Sequence, residues 1–477
     1  MAGTSPQTKP NVAATGHDTT KSYTGPLVTV TLLFFMWGFI TCLNDILIPK
    51  LQQVFTLQNW QAMLIQTAFF GAYFIISLFY FIFSVTKGDP IMRIGYKNGI
   101  IVGLTVAATG CVLFYPAADT QSYGFFLLAL FVLASGITIL QIAANPYVTI
   151  LGTPETAASR LNMTQALNSL GTTVAPLIGG YLIFEGAEAV AEANADSVKM
   201  PYLGLAGALL LLAVFIKVSR LPHISGEGKI VADAGALKYR HLVLGIICIF
   251  MYVGGEVAIG STLINFFKLP EIAGLDEAEG KHYLAFYWGG AMIGRFFGAV
   301  ALAQFRNSNT KYIVMGLIAA VVFVTMFSVY GLNEALITLG LIVLNFVVLL
   351  MGRFLPNRTL GFFAGAVMVL LLITSFAEGT TALWAVVAIG LFNSIMFPTI
   401  FTLAIHGLGV HTSQGSSLLV MAIVGGAIIP PLQGYIADVS GNLQLSFLVP
   451  LACYLYIMYY GFFGSKPKHV EADLTTE

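Results

Sequence analysis

Apolar runs of roughly 17 to 28 residues follow one another along this chain, each long enough for a helix to cross a hydrocarbon layer about 30 Å thick. In the first part they fall near 26–53, 61–85, 98–116, 124–150, 159–184 and 202–218. In the second part they fall near 241–267, 282–304, 312–330, 334–351, 359–376, 381–405, 415–437 and 443–463, so fourteen membrane helices are predicted. Two consecutive runs break the apolar pattern. Gln141 and Asn145 lie four residues apart, on one face of the fourth helix, and Gln165, Asn168 and Thr172 fall at i, i+3 and i+7 on one face of the fifth. An amide left without a partner in hydrocarbon costs roughly 2 to 7 kcal/mol, so these faces must look into protein or a wet cavity. They suit a path for a small polyhydroxylated solute.

Composition agrees with the runs. The chain has 477 residues, 57% hydrophobic and 9% charged, which excludes a soluble class and predicts an all-α membrane protein. A formal net charge of zero removes the basic stripe that a nucleic-acid partner would need. Cys42, Cys111, Cys248 and Cys453 sit inside apolar runs without metal-ligand spacing, so they read as packing residues. The polar first 25 residues lack the features of a cleaved signal peptide.

Charge also orients the helices. With the N-terminus inside, the inner loops carry Lys87, Arg93, Lys97, Arg160, Lys229, Lys238, Arg306, Lys311, Arg353 and Arg358. The outer loops carry Lys50, Lys199, Lys268 and Lys281 among many acidic residues. The predicted layout is a cytoplasmic segment 1–25, a six-helix bundle 26–218, a cytoplasmic linker 219–240, a second bundle 241–464 and a cytoplasmic tail 465–477. A diverged repeat supports two related bundles: Gly171, Pro176, Leu177 and Gly179 recur in spacing as Gly426, Pro431, Leu432 and Gly434. Intramembrane Pro146 and Pro398 precede the two copies, which places an extra helix pair near 312–376.

Few residues inside the runs can carry chemistry. Glu256 lies near the middle of its run, where a charge costs about 2.5 to 3.5 kcal/mol, and suits a proton or cation site; a structural hydrogen bond to Tyr252 is the plainer reading. Asp45, with Asn44 beside it, sits between mid-run and Lys50, and spacing alone leaves an interfacial ion pair equally open. Arg295 lies toward the inner end of its run, where snorkelling is the ordinary explanation. Asp89, Gly95 and Lys97 form a charged turn able to latch neighbouring helices, or simply a solvated one. Trp37, Trp288, Tyr287 and Phe397 offer aromatic faces for a sugar ring, though most such residues merely pack, and His406 and His411 read as solvated loop residues. No Walker lysine, HExxH or GxSxG motif occurs, which argues against an enzyme or an ATP-driven pump.

Five stretches taken together resemble one family: 43–55 (LNDILIPKLQQVF), 140–152 (LQIAANPYVTILG), 160–171 (RLNMTQALNSLG), 392–403 (FNSIMFPTIFTL) and 414–434 (QGSSLLVMAIVGGAIIPPLQG). The chain is similar to the fucose:proton symporter family of the major facilitator superfamily from about Leu27 to Gly464, apart from two extra helices. The resemblance implies a bacterial inner-membrane carrier working by alternating access, with Asp45 at the family's essential first-helix aspartate and Asn168 at a sugar-site amide. Where fucose carriers have a glutamate in the fourth helix this chain has Gln141, where they have a tyrosine in the later half it has Phe397, and where they have a glutamine in the seventh it has Glu256. That pattern looks like the glucose/galactose branch.

The expectation is therefore a monomeric carrier that imports glucose or galactose with a cation, the proton favoured over sodium, without a bound cofactor or metal. Asp45 and Glu256 couple the cation. Asn44, Gln141, Asn145, Gln165, Asn168, Asn393 and Gln433 bind sugar, with Trp37, Trp288 and Phe397 as its aromatic faces, and Asp89, Lys97 and Arg295 form a conformational latch. Transport of fucose, mannose or N-acetylglucosamine, or a transporter-like sugar sensor, are the alternatives.

Overall fold

The computed structural model describes residues 23–57, 64–180, 196–222, 232–305 and 307–467, and these residues are helical throughout, joined by short turns. The first six long helices are α1 (Thr24–Val54), α2 (Leu64–Lys87), α3 (Tyr96–Asp119), α4 (Tyr123–Ile150), α5 (Ala157–Gly180) and α6 (Asp196–Val218). After the linker come α7 (Arg240–Phe267), α8 (Glu277–Ala301), α9 (Ser308–Tyr330), α10 (Leu332–Met351) and α11 (Pro356–Phe376). The next span is broken into α12 (Gly379–Asn393) and α13 (Met396–Ala404); another consists of α14 (Thr412–Met421) and α15 (Gly425–Ser440), and α16 (Leu448–Tyr459) closes the chain.

Among the described residues 13 helical stretches are long and apolar enough to cross a membrane. The fourteenth predicted span, α5, has 24 residues but carries too many amides and hydroxyls to qualify. Its place is secured by packing instead, between α1 of its own half and α8 of the other. Association in lipid depends on close contact more than on apolar burial, and small residues permit it. A Cβ on Gly38 of α1 would lie 2.8 Å from the Asn168 carbonyl carbon, so the two backbones touch at the middle of the amide face.

The helix pairs repeat. The α1·α5, α2·α4, α3·α4 and α3·α6 packings of the first half return as α7·α15, α8·α12, α11·α12 and α11·α16 in the second. Helices α9 and α10 fall outside that correspondence, which locates the extra pair at 308–351, in the first part of the interval predicted from the repeat. Across the halves, α2 and α4 meet α14, and α5 meets α8 and α13.

Both seams are closed at the end that carries the linker. Ser159 Oγ donates to the Ala299 carbonyl at 2.6 Å, Ser413 Oγ to Asp89 Oδ2 at 2.6 Å, and Gln414 Nε2 to Ser84 Oγ at 3.1 Å. The linker is sewn into the second seam, because Gln414 Nε2 also donates to the Asp233 carbonyl at 2.9 Å and its Oε1 accepts from Ala236 N at 3.0 Å.

Candidate functional site

Four helices of the first half converge on a cluster of amides. Trp37 of α1 hydrogen-bonds the Tyr73 hydroxyl of α2, and Gln141 Nε2 of α4 donates to the same oxygen at 2.9 Å. The amide of Gln141 is thereby fixed, yet its Oε1 has no partner among the described residues. Both amide atoms of Asn145, one turn nearer the linker end, and Nε2 of Gln165 are likewise unpartnered. These three side chains are 1%, 0% and 5% exposed, so the unpaired atoms do not face bulk solvent. Most buried polar atoms in native proteins are hydrogen-bonded, and a concentration of exceptions marks where water or a polar ligand belongs. Asn168 is only partly buried and donates Nδ2 to the Phe34 carbonyl at 2.9 Å. Asn162, absent from the predicted set, adds another unpartnered buried oxygen. It lies three residues before Gln165, and extending the amide face by one turn toward the helix start would have found it.

The second half supplies a carboxylate and its support. Glu256 of α7 accepts a hydrogen bond from Tyr252 at 2.7 Å, the contact anticipated one turn earlier, and the Tyr252 hydroxyl also lies 3.2 Å from the Asn393 carbonyl. Asn393 is fully buried, donates Nδ2 to the Tyr287 hydroxyl at 3.0 Å and accepts at Oδ1 from Tyr454 at 2.6 Å. It was expected to present its amide to sugar; instead both amide atoms are engaged by protein, and the residue orders tyrosines from α7, α8 and α16 around Glu256. Tyr252 was legible one turn before Glu256, whereas its grouping with Tyr287 and Tyr454 around Asn393 is set by the fold alone.

The aromatic candidates separate. Trp288 is 43% exposed and would lie 3.1 Å from a Cβ on Gly260, which is one helical turn from Glu256 on the side away from the linker. Phe397 is partly buried and stacks on Phe401 with ring centroids 6.1 Å apart. Gln433 lies apart from the central group: it is 1% exposed and donates Nε2 to Ser446 Oγ at 3.2 Å, near the end opposite the linker.

Arg295 joins the two sets. Its Nε donates to the Ser394 carbonyl at 3.3 Å, its Nη1 donates to Ser169 Oγ of α5, and its charge acts on Glu256. Since α8 continues to Ala301, Arg295 lies more than a turn inside the helix and reaches across the halves, not out toward a headgroup as snorkelling would require. Of the other latch residues, Asp89 caps a one-turn helix at Pro90–Ile94 and bonds Ser413 across the seam, whereas Lys97 Nζ donates to the Ser219 carbonyl at 2.8 Å within its own half. His411 is also not a free loop residue, because Nδ1 lies 3.8 Å from Asp233 Oδ1 in the linker. Asn44 and Asp45 belong to α1, but their side chains lie outside the described residues.

The arrangement offers hydrogen-bonding amides from one half and a carboxylate flanked by a guanidinium and an open indole face from the other. No group of three or more His, Cys, Asp or Glu able to hold a metal occurs among the described residues.

Comparison with known proteins bears on the family and the fold. The Major Facilitator Superfamily profile matches residues 27–356. A glucose/galactose transporter of Brucella abortus is 51% identical over 94% of this chain and 95% of its own length. The L-fucose-proton symporter of Escherichia coli is 32% identical over 94% of both chains. A crystal structure of the E. coli fucose:proton symporter superposes with a TM-score of 0.73 at 31% identity, covering 94% of this chain and all of that one.

Proposed function

This chain belongs to the Major Facilitator Superfamily, and from that premise we propose that it carries glucose or galactose together with a proton through the site between its halves. It is a sugar transporter and not an enzyme. The observation that carries the finer reading is the set of buried, unpartnered amide atoms on Gln141, Asn145 and Gln165, facing a half that holds Glu256 and Arg295. A hexose has many hydroxyls, each both donor and acceptor, and can satisfy amides of either polarity.

In the proposed cycle, sugar enters from the end opposite the linker, where Trp288 lies one turn beyond Glu256. The amides of Gln141, Asn145, Gln165 and Asn168 take its hydroxyls while Trp288 and Trp37 offer faces to the ring. Proton uptake at Glu256, with Asp45 as the second coupling group implied by the family resemblance, removes negative charge from the site and lowers the cost of closing it to water. Closure over the sugar then strains the linker-end contacts, and Asp89–Ser413 and Ser159–Ala299 part as the halves rock. The linker end is taken as cytoplasmic, following the distribution of Lys and Arg, with both chain termini on that side of a bacterial inner membrane and a monomer as the working unit.

Counterflow in proteoliposomes tests this reading. Labelled glucose, galactose, fucose, mannose and N-acetylglucosamine are offered singly, then under separate pH and sodium gradients. Glucose or galactose exchange with accumulation under the pH gradient is expected; accumulation under the sodium gradient alone would replace the proton by sodium, and exchange of none of the sugars would end the proposal.

A further inference from the structure

The α9–α10 hairpin lies outside the repeated helix pairs, and only 6% of the apolar stretch Asn309–Tyr330 is buried. A pair of helices that merely filled lipid would need no fixed contacts, yet this one is attached at three levels. At the end away from the linker, Tyr330 packs edge-on against Phe286 of α8 at 4.7 Å, and Phe286 stacks on Trp384 of α12 at 6.0 Å. At the linker end, Lys311 Nζ donates to the Ala301 carbonyl at the close of α8 at 2.6 Å and sits 4.5 Å from the Phe354 ring. Arg353 and Phe354 both hold left-handed backbone, with φ 52° and 55°, in the turn that returns the hairpin to α11. Non-glycine residues avoid that region, so the turn is held there by its surroundings.

Between those ends lies Asn345, 1% exposed and the one polar side chain in the stretch 339–351, with Nδ2 donating to the Leu391 carbonyl at 3.4 Å. Leu391 lies two residues before the end of α12, next to the break at Ser394 and Ile395 that precedes α13. Three carbonyls here accept from side chains of other helices: Leu391 from Asn345 of α10, in addition to a 2.7 Å bond from Ser394 Oγ within the break, Asn393 from Tyr252 of α7, and Ser394 from Arg295 of α8. Tyr252 and Arg295 are also the groups that act on Glu256. The approach is tight, since a Cβ on Gly390 would lie 2.7 Å from the Tyr287 carbonyl carbon.

We propose that the hairpin is a brace that holds α8 and α12 as one rigid piece, with Asn345 the positioning residue that fixes the α12–α13 break as the hinge through which Glu256 moves α13. The proposal rests on the transport reading. With α8 and α12 clamped together, rearrangement of Tyr252 or Arg295 when Glu256 changes charge is passed to α13, which packs on α5 of the other half. Freed of Asn345, the break yields locally and the rearrangement is dissipated there.

The test uses the full chain in nanodiscs and liposomes, comparing Asn345→Leu, Asn345→Gln and the unaltered protein. Removing one hydrogen bond at a hinge is expected to lower kcat of gradient-driven uptake about fivefold with KM unchanged, and to speed deuterium exchange in the peptide covering 391–399. Asn345→Gln restores both toward the unaltered values. Unchanged turnover and exchange in Asn345→Leu overturn the brace, as does a loss shared equally between KM and kcat. Should Asn345→Leu fail to fold, Asn345→Ser is read the same way and unchanged exchange in it overturns the proposal. Exchange is measured without sugar, so a chain that moves no sugar refutes the transport reading, whereas unchanged exchange refutes the brace.

Discussion

Replacing Glu256 by Gln probes the coupling step with little change of shape. The amide keeps the oxygen to which Tyr252 donates at 2.7 Å but neither binds nor releases a proton. Arg295 loses a nearby negative charge and retains the Ser394 carbonyl and Ser169 Oγ as acceptors. Breaking a buried pair costs about 3 to 5 kcal/mol when the remaining charge is stranded. With two acceptors left, a loss nearer about 1 to 3 kcal/mol is expected, which a stable carrier survives. The functional effect is larger in kind. With one proton per sugar, a pH difference of one unit supplies about 1.4 kcal/mol, or about tenfold accumulation. Glu256→Gln liposomes should instead approach equal concentrations on both sides while still exchanging labelled for unlabelled sugar. Accumulation at the unaltered level in Glu256→Gln would refute the assignment of the coupling proton to this residue.

Three further substitutions extend the test. Asp45→Asn should abolish concentrative uptake while sugar exchange survives, measured in the same liposomes; undiminished accumulation would remove Asp45 from the coupling route. Gln165→Leu should raise the half-saturation concentration about tenfold, because sugar hydroxyls that met the amide lose a partner, with turnover at saturation changed much less. Arg160 is 8% exposed and donates to the carbonyls of Val148, Thr149 and Thr153 and to Thr156 Oγ1, closing the end of α4. Arg160→Lys cannot span that set and should lower stability by about 2 to 3 kcal/mol, read as a lower Tm with KM unchanged.

The helices themselves were legible because the hydrocarbon layer imposes one length on every span, and the amide faces were legible because 3.6-residue periodicity puts Gln141 with Asn145 and Gln165 with Asn168. Glu256 stood out for the same reason, a charge with no place in an apolar run. What the linear pattern could not resolve was tertiary. Asn393 and Gln433 look alike along the chain, each a polar residue in an apolar run, yet one sits amid tyrosines from three helices and the other pairs with Ser446. The ends of Arg295 were equally hidden, since nothing near it in sequence names Ser169 or Ser394. The repeat located the inserted helices only to an interval, and pairwise packing narrowed them to 308–351.

Among the described residues, the predicted span that fails the hydropathy test, α5, is also the one that carries Asn162, Gln165 and Asn168, and these two properties have a single cause. A segment as polar as α5 cannot face lipid on all sides without stranding Asn162, Gln165 and Asn168, so it is held where α1 and α8 cover it. That position is the seam between the halves. In the proposed cycle the halves move against each other there, and Ser159 and Ser169 bond across it to the Ala299 carbonyl and to Arg295. Apolar side chains at these positions would bury the helix more favourably, but in the proposed cycle they would leave nothing for sugar to bond and nothing to rejoin after each turn. Local hydropathy is therefore violated where the proposed binding and motion coincide, as expected when a functional site overrides a local rule.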